Sequence, residues 1–255
     1  MPADVRVETS PVGQVVRPPA EAGLVILYLP GDRYLSSATG SAPGLASGLA
    51  ERTGATVVCA RYRDAFPAAL DDVQAAYGYS QQAGLVLLAG ERLGAGLATA
   101  LLIRLRDAGT ALPRCAMLVS ALLDLTMQAS SLQLNGVADP TFDVGRFQRR
   151  VAGYAAGTPR CHPLLSPLYA NLDGLPPVQL LAAGNDPLLD DSLGFAARAA
   201  RSGVSVDLRV LPDAAVLRAA TLTAMAEFVA VLARGDDPPD PPIAATRRAA
   251  ASRRG

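Results

Sequence analysis

Apolar residues in this chain fall into short runs, separated by stretches where they recur every three to four positions. The runs are residues 5–9, 13–17, 24–29, 55–62, 84–89, 115–120, 178–183 and 204–211. From LVILYL (24–29) onward most are almost continuously apolar, the pattern of strands covered on both faces. Between them, helical spacing covers 43–53, 69–82, 93–108, 188–201 and 214–234. Strand and helix in alternation predict an α/β fold with a mostly parallel, doubly wound sheet of about eight strands. Only SPVG links the first two runs, too short for a crossover, so an antiparallel hairpin is expected at the sheet edge. Residues 121–176 are less regular. They predict one helix over 142–156 and a proline-rich loop, TPRCHPLLSPL, lying over one end of the sheet.

Composition changes this picture little. Half the residues are hydrophobic and the formal net charge is zero, so the chain can bury a core and has no bulk attraction to nucleic acid or membrane. All 23 basic residues are arginine. The three cysteines, Cys59, Cys115 and Cys161, have no C-x-x-C spacing. Neither a disulfide framework nor a metal site is expected, and no cofactor. MPADVRVETS lacks the apolar core of a signal peptide, and no apolar run approaches the roughly 20 residues of a membrane span. The expected setting is cytoplasmic. Residues 1–234 are expected to form one domain. The tail 235–255, rich in proline and arginine, is expected to be disordered. A homodimer, through the edge strand after the 204–211 run or through the exposed cap side, is a further expectation.

The segment LAGERLGAGLA, residues 88–98, joins an expected strand to an expected helix. Gly90 and Gly94 frame Glu91, Arg92 and Leu93 as glycines frame the nucleophile in G-x-S-x-G. Five further segments, in order along the chain, resemble motifs of one family. They are Tyr28-Leu29-Pro30-Gly31-Asp32-Arg33-Tyr34, Tyr62-Arg63, Phe66-Pro67-Ala68-Ala69-Leu70-Asp71-Asp72, Ser166-Pro167-Leu168 with Leu172-Asp173-Gly174-Leu175-Pro176-Pro177, and Gly184-Asn185-Asp186-Pro187-Leu188-Leu189-Asp190-Asp191. From about residue 5 to 234 the chain resembles the hormone-sensitive-lipase-like esterases, the bacterial family IV carboxylesterases. The resemblance implies the α/β-hydrolase fold, with the N-terminal cap reduced or absent.

It also implies acyl transfer by a serine, a histidine and an acid, beside an oxyanion loop. The family's acid position falls on Asp186. Its nucleophile position falls on Arg92, a guanidinium that stays protonated and cannot attack a carbonyl. Its histidine position falls on Val216 within Pro212-Asp213-Ala214-Ala215-Val216-Leu217-Arg218. The oxyanion loop keeps Gly31 but adds Asp32 and Arg33, and Leu93 follows the nucleophile position. His162, the single histidine, stands beside Cys161, where adjacent side chains diverge. Ser36 and Ser37 have no evident base.

Arg92 is expected to point into the old active site and to pair bidentately with Asp186 or Asp32. Without catalysis, the strain of the turn has no purpose and is free to relax. The expected function is that of a non-hydrolytic pseudoenzyme whose cleft binds a small molecule, anionic if Arg92 and Arg33 form its floor, or a protein partner. The alternatives are a lyase, dehydratase or cyclase reusing the pocket, a residual ester hydrolase, and a degenerate copy with no role.

Overall fold

The computed structural model describes residues 5–32, 42–138 and 142–233. Arg33, Ser36, Ser37 and the tail 235–255 lie outside the described residues. The chain opens with strands β1 (Arg6–Ser10), β2 (Gly13–Arg17) and β3 (Leu24–Leu29). Then α1 (Ala42–Thr53), β4 (Thr56–Ala60), α2 (Ala68–Gln81), β5 (Leu85–Glu91), α3 (Leu93–Asp107) and β6 (Ala116–Val119) follow. Next come α4 (Ser130–Ala138), α5 (Val144–Ala155) and a short 3-10 turn (Pro167–Tyr169). The described chain ends with β7 (Val178–Ala183), α6 (Leu189–Arg201), β8 (Val206–Leu211) and α7 (Ala214–Ala233).

One eight-stranded sheet runs β1-β2-β4-β3-β5-β6-β7-β8. β1 pairs antiparallel with β2, and β2 with β4; every later pairing is parallel. The fold class is the expected one, hairpin included.

Strand alternation splits the buried residues into two cores. Val25, Leu27, Leu29, Leu88, Leu118 and Leu180 face α2, α3 and α6. Ile26, Tyr28, Leu87, Ala89, Met117 and Leu181 face α1 and α7. Every residue of β3 after Leu24, and every residue of β4 and β7, is buried, which explains why these runs carry no polar alternation. Cys59 and Cys115 are among the buried strand residues; burial pushes both thiols up to about 12.

Two expectations need correction. Residues 121–176 hold two helices, not one, because α4 has only a weak apolar stripe, with Leu132 buried and Leu134 exposed. The second concerns membrane length. α7 spans 20 residues with mean hydropathy 1.7 and is long and apolar enough to cross a membrane by length and composition. Arg218 and Glu227 interrupt its sequence, which hid this. It packs on the sheet through Leu217, Thr221, Ala224, Met225, Val229 and Leu232.

Candidate functional site

The site is built at the carboxyl ends of β3, β5, β6 and β7, where open α/β sheets place ligands. β5 ends at Glu91, Arg92 makes the turn, and α3 begins at Leu93. Arg92 has φ 51° and ψ −113°, a region nearly reserved for glycine that costs on the order of 1–3 kcal/mol. The turn, free to relax without catalysis, has kept its strained backbone. Its backbone is pinned from both sides. Arg92 N–H donates to the Val119 carbonyl at 3.0 Å, and the Arg92 carbonyl accepts from Gly96 N at 3.2 Å and Leu122 N at 3.1 Å.

The glycines account for how closely the segments approach. A methyl group on Gly94 would lie 1.9 Å from the Leu29 carbonyl oxygen, and one on Gly31 would lie 2.2 Å from the Glu91 carbonyl oxygen. The same point on Gly31 is 3.0 Å from the Leu93 nitrogen. The first loop thus lies directly against the turn, in the arrangement of an oxyanion loop against a nucleophile's neighbour. The Tyr62 hydroxyl donates to the Pro30 carbonyl and ties down the start of that loop.

A cleft of about 550 Å³ opens beside this turn. Gly31, Asp32, Glu91, Arg92 and Ser120 form its polar part; Leu45, Val119, Leu217, Thr221 and Leu222 form much of the rest, with Arg218 on α7. Val216 does not line it. The α7 helix starts at Ala214, and Asp213 Oδ1 accepts from Ala215 N at 2.8 Å and Val216 N at 2.9 Å. That helical start carries Val216 outward, 41% exposed, and brings Leu217 and Arg218 inward.

Asp186 is 4% exposed, on the loop between β7 and α6. Its Oδ1 accepts from Leu188 N at 2.9 Å. Its Oδ2 lies 4.0 Å from Arg92 Nη1. The expected bidentate pair is thus a single long contact: the buried carboxylate is held by its own loop, and the guanidinium, with its side chain 23% exposed, only approaches it. Asp32 shares the cleft lining with Arg92. The neighbouring Asp191 is buried, and its Oδ2 accepts from Leu123 N at 2.8 Å and Asp124 N at 2.9 Å. Burial raises its carboxyl to about 7, against the pull of those two N–H groups.

Glu91 is the lining residue that motif reading passed over. Burial raises its carboxyl, while the hydrogen bond from the Tyr28 hydroxyl and the Arg92 charge pull it down. Strand alternation carried a signal for it: Glu91 follows Leu87 and Ala89 on the face that holds Tyr28. Ser120, at φ 45°, was missed for want of any motif. His162 is elsewhere employed, its ring 5.7 Å from that of Phe66 and its Nδ1 accepting from Leu164 N. Among the described residues no group of three His, Cys, Asp or Glu could hold a metal ion.

A sheet order with one antiparallel hairpin, a positive-φ turn between β5 and α3, and an acid on the loop after β7 define a hydrolase-type α/β protein. Residues 26–215 match the family described as alpha/beta hydrolase fold, and the chain belongs to that family. It is similar to an acetyl-hydrolase of Streptomyces hygroscopicus, 35% identical over 220 residues that cover 83% of this chain and 74% of the relative. An esterase of Acinetobacter venetianus is 29% identical over 211 residues, covering 78% of this chain and 68% of its own length. Among solved structures, an esterase from the bacterial hormone-sensitive lipase family superposes with a TM-score of 0.81 at 31% identity, covering 91% of this chain and 86% of the other.

Proposed function

We propose that this chain is an esterase-family α/β-hydrolase homologue that binds a small, anionic molecule in the Arg92 cleft and does not cleave esters through a nucleophile at the turn. The observation that carries the reading is the geometry of residue 92. The backbone at φ 51°, ψ −113° presents its side chain as a nucleophile would be presented, and the side chain is a guanidinium that cannot form an acyl intermediate. The opposite position, Val216, is apolar and faces out. The relatives' names as acetyl-hydrolase and esterase describe those proteins. Here the same frame holds a fixed positive charge where their chemistry would begin. The expected cytoplasmic setting belongs to this proposal, supported by three free cysteines.

A second reading is favoured by one observation. Glu91, a carboxyl raised by burial, lines the cleft next to Arg92. A raised carboxyl beside a fixed cation suits proton transfer with anion stabilisation, as a lyase or dehydratase requires.

The test uses the full chain. Incubation with a fluorophosphonate probe gives no covalent adduct by mass spectrometry, and p-nitrophenyl butyrate is hydrolysed no faster than by the Arg92→Ala variant. A covalent adduct on a cleft-lining residue, Ser120 above all, or hydrolysis that Arg92→Ala abolishes, would overturn the binding reading.

A further inference from the structure

Resting on the reading that the cleft binds an anion without cleaving esters, we infer that its occupant is a short aliphatic monocarboxylate. The carboxylate lies on the Arg92 guanidinium and the chain lies on the leucines of α1 and α7.

Four features converge on this class. Among the described residues, the Arg92 guanidinium has one carboxylate contact, at 4.0 Å, and donates no hydrogen bond. A guanidinium offers five N–H donors in a planar fork that matches a carboxylate edge. Asp186, the group it approaches, is held through Oδ1 by Leu188 N, and its Oδ2 stays 4.0 Å from Arg92 Nη1, so the fork itself is open to an incoming carboxylate. Second, Leu45, Val119, Leu217 and Leu222 line the same cleft. An inorganic anion would leave that apolar surface wet, and a hydrocarbon tail would cover it.

Third, Asp32 and Glu91 also line the cleft. A second charge on the ligand adds to a cleft that already contains two acidic side chains, which selects against dicarboxylates and phosphate monoesters. A neutral alcohol of the same length would leave the partly buried fork unmatched, which selects against it. Fourth, Arg218 lines the cleft, is exposed and has no ion pair among the described residues. An exposed cation lining a cleft raises the local anion concentration and speeds capture.

The inference commits to a set of ligands that calorimetric titration of the full chain can compare: butyrate, butan-1-ol and succinate. Butyrate binds saturably, and the alcohol and the dianion bind at least about tenfold more weakly, the margin expected when a charge-assisted pair is lost or a like charge is imposed. Arg92→Gln weakens butyrate by about tenfold or more, and Arg92→Lys, which keeps the charge and loses the fork, falls between. Arg218→Gln, an exposed change that leaves folding intact, flattens the salt dependence of butyrate binding. Leu217→Ala weakens hexanoate more than acetate.

No butyrate binding, butan-1-ol binding as tightly as butyrate, or an Arg92→Gln protein that binds butyrate unchanged would overturn the inference. The two proposals fail separately. A chain that forms a fluorophosphonate adduct and also binds butyrate through Arg92 overturns the non-hydrolytic reading alone. A chain that does neither overturns the carboxylate assignment alone.

Discussion

Residues 90–96 and residues 212–218 are the two places where the hydrolase frame would carry its nucleophile and its histidine, and they are built differently. The first is held by backbone against backbone. Gly31, Gly90, Gly94 and Gly96 each stand where an added methyl would lie within 3 Å of a carbonyl oxygen of another segment or turn. Three hydrogen bonds fix the Arg92 backbone whatever its side chain. The second is held by side chains at its edges. Asp213 caps α7 and Asn185 Oδ1 accepts from Ala214 N at 3.2 Å, so an ordinary helix begins there. Geometry fixed by close backbone approach persists when its residue changes chemistry. Geometry that depends on a side chain's own partners does not, and Val216 faces out.

The sharpest way to break this comparison is Gly94→Ala. The added carbon would sit 1.9 Å from the Leu29 carbonyl oxygen, which is backbone in the central strand. Relief requires β3 or α3 to move, and the expected loss is about 3 kcal/mol of unfolding free energy, at the upper end for an overpacked site. Urea denaturation checks it. A variant as stable as the natural chain would mean that the turn is loose and that Arg92 is not held where the cleft needs it.

The next effect depends on pH and tests the buried carboxyl group in the first turn of α6. Asp191 lies five residues after Asp186, and burial raises its carboxyl from an ordinary value of 3.8 to about 7 in the folded chain. A raised folded value means that the folded state binds the proton more tightly than the unfolded state. Its contribution is therefore fully present below about pH 4 and is lost as pH rises to about 7. In Asp191→Asn the amide oxygen can still accept from Leu123 N and Asp124 N, and no charge is buried. The Tm of the variant relative to the natural chain should climb from pH 4 to pH 7 and level off above. A difference constant across that window would contradict the assignment.

Much of this was legible in the sequence, and the rest was not for identifiable reasons. Buried strands such as LVILYL and VQLLAA announce themselves because neither face can carry polar residues. The turn was readable because close approach demands glycine, and only a few positions can meet that demand. The direction in which Val216 points was missed although the helix start at residue 214 was expected and found, because the motif assigns residue 216 by family position and not by its place in the first turn of α7. The Arg92–Asp186 contact was placed correctly but overestimated. Residue types alone do not reveal that Asp186 is already held by Leu188 N. Glu91 was passed over because the motif draws attention to its centre, not to the residue beneath it.

A smaller effect asks what the arginine does to the turn. At φ 51°, ψ −113°, any residue but glycine is strained. Arg92→Gly relieves that strain and removes an ion-pair contact at 4.0 Å, which at that distance and partial exposure contributes little. The net expectation is a gain of about 1 kcal/mol in stability together with loss of anion binding, the trade expected where strain serves a site. Urea denaturation and butyrate titration of one sample read both sides. A destabilised Arg92→Gly would mean that the guanidinium holds the loops together, making it a structural plug and not a binding group.

The smallest expected effect is none at all. In an Arg92→Ser background a hydroxyl stands at the turn, and adding Val216→His completes the nucleophile and base by sequence position. The geometry argues that this does not complete them in space. Residue 216 is 41% exposed on the outer side of the first turn of α7, while Leu217 and Arg218 face the cleft. A histidine there would extend into solvent, out of reach of a serine at residue 92, and a base must come within about 3 Å to take its proton. The double variant should therefore hydrolyse p-nitrophenyl butyrate no faster than Arg92→Ser alone. A rate increase of tenfold or more, bell-shaped in pH near the histidine range, would show that the first turn of α7 unwinds to bring residue 216 inward. The contrast between a backbone-held turn and a side-chain-held one would then fail at its second member.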